Sequence, residues 1–348
     1  MNKAFNILIS TFVVLYGLIH SETKYYFNIG AIETIRNCSN AFLFVLFLFT
    51  VKASIKYITT DKLLFIFICW VIVINIAYFL FIPANGQYFY SPVFLLIPFG
   101  VSINNLKKIG SYVLFFSLIL SSLYIFQLFY LIFLNGNFLI IEKHYFDVFN
   151  IGGIKLTSSL IFGNSNSAGS ILFLYLILAE KLLKKRLILA YIIILFSIIL
   201  SGSLTAFLLG TIWLLRKKIN SFGFSWFIFI IPIVVIFVYT LQINLLGFNI
   251  RMDRWTSFIL LTLTNPSIIL FPNNFFNPDF YSESTFIDMV LNFGLVPILI
   301  FFKILYKNKL YFVIIYFALT NSVFLPINAF IIGLLIKKIK YELSCSVR

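Results

Sequence analysis

The sequence predicts an all-α, polytopic integral membrane protein of about 11–12 transmembrane segments, with a long outer loop carrying a short interfacial helix. Three observations lead there. Of 348 residues, 61% are apolar and 11% charged, where a soluble chain carries ~25% charged residues. Mean hydropathy is +1.05, so lipid must be the solvent for most of the chain. Finally, the apolar residues gather into runs parted by short polar breaks, and the basic residues in those breaks alternate between the two sides.

The runs cover approximately 4–20, 38–51, 63–82, 88–103, 110–134, 158–179, 187–200, 203–215, 222–241, 284–302, 309–321 and 326–336. They make a single transmembrane domain over 1–348: N-terminal spans 1–134, a first outer loop 135–157, central spans 158–241, a second outer loop 242–283, and C-terminal spans with a cytoplasmic tail 284–348. The first run follows Met1-Asn2-Lys3 and ends at His20-Ser21-Glu22 without a small-x-small cleavage site, so it reads as a retained span. The pairs 187–200/203–215 and 309–321/326–336 fit either two short helices or one long kinked helix, the breaks being Ser201-Gly202-Ser203 and Asn321 to Pro326.

With the N-terminus in the cytoplasm, inner segments hold 20 of the 26 basic residues, among them Lys107, Lys108, Lys184, Lys185, Arg186 and Lys337. Outer segments hold Lys24, Arg36, Lys143, Lys155, Arg251 and Arg254, together with eight of the 11 acidic residues. A wrong crossing count would scramble this alternation. The net charge of +15 is therefore a topology signal with anionic headgroups as its natural partner, and a nucleic-acid partner is excluded. Cys38, Cys69 and Cys345 lie too far apart for a disulfide frame or metal site, and His20 and His144 read as interfacial residues. No Walker loop, HExxH, GxSxG or Asp-x-Asp occurs, so no metal or other cofactor is expected.

Function tends to sit in long loops of an otherwise economical chain. In the second outer loop, Asn249 to about Leu263 reads as an interfacial helix, with Arg251, Arg254, Trp255 and Phe258 on one face. Two arginines one turn apart form a fork for an anion such as phosphate; the alternative is an interfacial anchor, with Arg254 snorkelling or paired to Asp253. Downstream, Pro272 to Asp288 is aromatic and amide-rich, of the kind that stacks on sugars, and includes Tyr281. Glu283 opens a span, where falling dielectric suits a general base; favouring the helix dipole is the other reading. Asp288 follows, about 140° further round the helix, where an acidic group usually faces the bundle interior or a cavity. Asn164, Asn166 and their small neighbours up to Ser170 either pack helices closely or wall a substrate cavity, and the same choice applies to Ser203 and Thr205. Gly152-Gly153 reads as a turn.

These motifs stand in the order Gly-Asn-Ser-Asn-Ser-Ala-Gly (163–169), Leu-Ser-Gly-Ser-Leu-Thr (200–205), Arg-x-x-Arg-Trp (251–255) and Glu-Ser-Thr-Phe-Ile-Asp-x-x-Leu-Asn-Phe-Gly-Leu (283–295). In that order and spacing, over roughly 155–305, the chain resembles the O-antigen polymerase/ligase superfamily of bacterial envelopes (Wzy-type). It departs in having Leu204 where members often carry Arg, and Pro272-Asn273-Asn274 where a glycine pair is usual. Ligases tend to carry His at the position of Glu283, which favours a polymerase.

The resemblance implies a glycosyltransferase on the outer face of the bacterial inner membrane, with both termini cytoplasmic. It would join polyprenyl-diphosphate-linked oligosaccharide repeat units, with membrane lipids and a chain-length regulator protein as further partners. It implies catalytic roles for Arg251, Arg254 and Glu283, and substrate contacts from Asn164, Asn166, Ser203, Thr205, Trp255, Tyr281 and Asp288. The alternatives are a ligase that transfers the glycan to lipid A-core, or a flippase of the same lipid-linked glycan. The flippase lacks the two-half repeat and mid-membrane charges expected of a transporter.

Overall fold

A computed structural model describes residues 6–12, 45, 48, 54–55, 58–59, 61–81, 91–134, 148–151, 154–157, 165–183, 188–200, 203, 205–213, 246–269, 285–319 and 328–337. Within them the chain is helical apart from one hairpin. After a helical stretch at 6–12, the helices in order are α1 (Lys62–Phe81), α2 (Ser91–Gly100), α3 (Ile103–Leu134), α4 (Ser165–Leu183), α5 (Ile188–Leu200) and α6 (205–213). There follow α7 (Leu246–Thr264), a 3-10 turn at Pro266–Ile269, α8 (Thr285–Phe293), α9 (Leu295–Lys307), α10 (Tyr311–Leu319) and α11 (Asn328–Lys337).

Local chemistry sets many of these boundaries. Asp61 precedes α1 and its Oδ1 accepts the Leu64 N–H at 3.3 Å, an N-cap that also meets the positive end of the helix dipole. Pro98 lies in the last turn of α2, and α3 restarts after Ser102, whose carbonyl accepts the Leu106 N–H. Ser203 caps α6 with Oγ accepting from the Ala206 N–H at 3.4 Å, so the 187–215 region is two helices, not one kinked rod. Over the described residues, Asn104–Leu123 of α3 is the stretch long and apolar enough to cross a membrane by length and composition. Shorter apolar stretches are Lys62–Ile74, Leu189–Ile198 and Asn328–Lys337.

Two features differ from the sequence reading. The first outer loop carries an antiparallel hairpin, β1 (Val148–Ile151) with β2 (Ile154–Thr157), in which Ile151 faces Ile154. The region 284–302, read as one span, is two helices broken at Gly294, whose φ of 86° and ψ of 162° suit glycine alone.

One set of contacts joins α3, α4 and α5; another joins α1, α8, α9 and α10. α10 connects the sets through Tyr316 stacked on Phe173 of α4 at 5.1 Å and Phe312 edge-on to Trp213 of α6 at 5.3 Å. α11 packs on α2 so closely that a Cβ on Gly333 would lie 2.4 Å from the Leu95 carbonyl oxygen. The core between the helices is mainly apolar, with Tyr175, Phe173, Phe301 and Trp213 among its largest fully buried side chains, and it also buries polar residues such as Asn6, Ser117, Asn292 and Asn328. The outward sides of α1, α3, α5 and α9 also expose large apolar residues, such as Val73, Leu80, Phe126, Leu189 and Leu299.

Candidate functional site

The helix expected between Asn249 and Leu263 is α7, which spans Leu246–Thr264. Trp255, Phe258 and Leu261 are half-buried and pack on the core, which holds α7 to the bundle through one side. Trp255 stacks on Phe286 of α8, with centroids 6.1 Å apart and planes 17° apart. The run continues from Phe286 to Phe302 at 5.6 Å and from Phe302 to Phe317 at 6.5 Å, tying α7, α8, α9 and α10 together. Arg251 stands one turn before Trp255 on α7. Arg254 is exposed beside Asp253, so the face it was expected to share with Trp255 and Phe258 divides into a packed line and an exposed flank.

Asp288 sits in the first turn of α8, partly buried, and its backbone carbonyl accepts from Asn292 Nδ2 at 2.7 Å. Glu283 and Tyr281 lie outside the described residues, as do Asn164, His20, His144, Cys38 and Cys345. So do the span 222–241 and most of 38–51.

The two small-residue motifs meet. A Cβ on Gly169 of α4 would lie 2.4 Å from the Ser203 Cβ and 3.0 Å from the Ala206 Cβ, so glycine is what allows the start of α6 to touch α4. Ser203 is buried in this contact and Thr205, the first residue of α6, is half-buried. Asn166 lies in the first turn of α4. Next to Gly169, Ser170 Oγ accepts from Asn328 Nδ2 at 3.0 Å, both residues buried. The starts of α4, α6 and α11 thus meet at one level.

Sequence reasoning passed over Asn328 and Trp70, and counted Lys337 only among the inner charges. Trp70 of α1 donates its indole N–H to the Phe293 carbonyl at 2.9 Å, at the break between α8 and α9. Lys337 Nζ donates to the carbonyls of Pro98 at 3.0 Å, Phe99 at 2.8 Å, and Val101, where α2 ends. Each partner is more than 150 residues away, so no local pattern announces it; a lysine closing an apolar run was visible, but its target was not. Among the described residues, no three His, Cys, Asp or Glu side chains gather to hold a metal ion.

No protein-family model, curated protein or solved structure matches the chain.

Proposed function

We propose that the chain is a polytopic glycosyltransferase of the bacterial inner membrane, which polymerises polyprenyl-diphosphate-linked oligosaccharide repeat units on the outer face without a metal. The observation that carries this reading is the stack of Trp255 on Phe286. It joins the arginine-bearing helix to the first turn of α8, three residues beyond Glu283 in the chain, a covalent reach of at most ~10 Å. The contact brings the arginine-bearing helix to the start of α8, which follows Glu283 in the sequence, and this supports the reading that the arginines and the carboxylate share a reaction.

Two further observations support the membrane setting. Large apolar residues face outward on α1, α3, α5 and α9, as a lipid solvent favours. Contacts also respect the sidedness read from the basic residues. Ends read as inner meet in Phe67–Phe301, Trp213–Phe312 and Asn6–Asn105, while ends read as outer meet in Trp255–Phe286.

In the proposed reaction, the hydroxyl oxygen of the acceptor sugar attacks the anomeric carbon of the donor glycan. The bond from that carbon to the phosphate oxygen breaks, and the polyprenyl diphosphate leaves with the electron pair. Glu283 takes the hydroxyl proton. Arg251 and Arg254 meet the charge that grows on the departing diphosphate.

The test is elongation of a purified lipid-linked repeat unit by the detergent-solubilised protein. Arg251→Ala is expected to lower turnover by about 10²–10³-fold, and Glu283→Gln by about 10²–10⁴-fold. Wild-type rates in either variant would remove that residue from the mechanism. Movement of the lipid across a liposome without bond formation would replace the reading with a flippase.

A further inference from the structure

The positions that α9 leaves exposed are Val296, Leu299, Lys303, Tyr306 and Lys307. Their spacing of i, i+3, i+7, i+10 and i+11 puts them on one face of the helix. That face changes character along the axis. Two apolar side chains come first, then two lysines flanking a tyrosine, all within about 17 Å. Lys309 follows, exposed, in the turn after α9, and α10 then opens with the exposed Tyr311. From Leu295 to Leu319 the chain holds these three lysines and no acidic residue.

The turn that ends α9 adds a second observation. The Lys309 N–H donates to the Tyr306 carbonyl and the Leu310 N–H to the Leu305 carbonyl, both at 2.9 Å, the pair of bonds that closes a helix through one left-handed residue. That residue is Lys309, at φ 56°, in the position that glycine usually takes. A side chain there costs conformational energy that glycine avoids. Lysine kept against this local preference points to work done by its ammonium. The α9 dipole favours a cation at this end, but Lys307 in the last turn already supplies one.

We infer that this face binds an anionic phospholipid, with the phosphate among Lys303, Lys307 and Lys309 and the tails running along α9 over Leu299 and Val296. Tyr306, 70% exposed between the lysines, suits the depth where a ring meets hydrocarbon and its hydroxyl meets water. The apolar half of the face selects a lipid over a soluble anion: Leu299 is 53% exposed and stands one turn from Lys303. The sequence reading puts all three lysines at the inner surface, where clusters of lysine attract anionic headgroups. Such a site is independent of glycosyl transfer.

In the experiment, the full chain in detergent is titrated with phosphatidylglycerol or phosphatidylcholine, and bound lipid is read by native mass spectrometry. The wild type should bind phosphatidylglycerol more tightly. Lys303→Gln/Lys307→Gln should weaken that binding about 30-fold, since each lysine near a lipid phosphate contributes about fivefold. The charge-matched Lys62→Gln/Lys108→Gln, at exposed lysines of α1 and α3, should leave it unchanged. Lys309→Gly should weaken binding about fivefold while raising Tm in lipid-free micelles, because glycine suits the turn. Wild-type affinity in Lys303→Gln/Lys307→Gln would overturn the site. So would an equal loss in both double variants, which would mean that bulk charge holds the lipid. Equal competition by glycerol phosphate, which has the headgroup chemistry without tails, would overturn the lipid as occupant. Unchanged affinity in Lys309→Gly would overturn the role of Lys309.

Discussion

Gly294 combines φ 86° with ψ 162°, a backbone state that a Cβ makes costly by about 1–3 kcal/mol. Gly294→Ala should therefore lower stability by that amount, seen as a lower Tm in detergent; an unchanged Tm would mean that the break can close without harm. Lys337 presents a different residue-scale problem. Its ammonium is buried, yet it donates to the carbonyls of Pro98, Phe99 and Val101 around the C-terminal end of α2, where the Pro98 carbonyl also accepts the Val101 N–H at 3.3 Å. A cation there also complements the negative end of the α2 dipole. Lys337→Met keeps most of the apolar stem of the side chain, one atom shorter, and removes the donors. It should cost about 1–3 kcal/mol, because those carbonyls would lose a partner in an apolar setting. The sequence reading counted Lys337 among the inner charges, a bulk property that a pattern of lysines reveals. Its specific work depends on a helix end more than 200 residues earlier, which no local pattern encodes.

At the scale of elements, close approach governs the contact of α4 with α6. Gly169→Val would drive a side chain into the Ser203 and Ala206 Cβ atoms, which lie 2.4 and 3.0 Å from an added Cβ. Overpacking of this kind costs about 1–3 kcal/mol, and Ser203→Gly should return part of it by removing the nearer Cβ. A Tm drop that Ser203→Gly leaves untouched would place the strain elsewhere. The sequence left a choice between packing and a cavity wall for this motif, and for Gly169 and Ser203 the described contacts are packing. Helices such as α1 were legible almost to the residue, because apolar runs bounded by Asp61 and its neighbours carry their own stop signals. The hairpin was legible in principle: Val-Phe-Asn-Ile, two glycines and Ile-Lys-Leu-Thr follow the two-residue hairpin pattern. Reading Gly152-Gly153 merely as a turn missed the strands beside it. The α8–α9 break was also written locally, in Gly294 and Pro297, but hydropathy averaged over a window hides a single missing N–H.

For the whole molecule, the proposal stands on which side of the membrane each loop occupies. The basic residues of the breaks, read alone, assign sides. Under that assignment the tertiary contacts, which involve other residues such as Phe67, Phe301, Trp213 and Phe312, pair ends read as inner with one another. A shift of the crossing count by one anywhere between 67 and 301 would make the Phe67–Phe301 stack join opposite surfaces, which two rings 5.0 Å apart cannot do. The two lines of reasoning therefore constrain each other. They predict that a reporter fused near residue 260 is outside, because α7 leads through Trp255 to Phe286 at an outer end, and that one fused near 185 is inside, among Lys184, Lys185 and Arg186. If the fusion near 260 were cytoplasmic, Arg251 and Arg254 would face the wrong compartment for a donor already flipped outward, and the chemistry assigned to them would fail however well the helices packed.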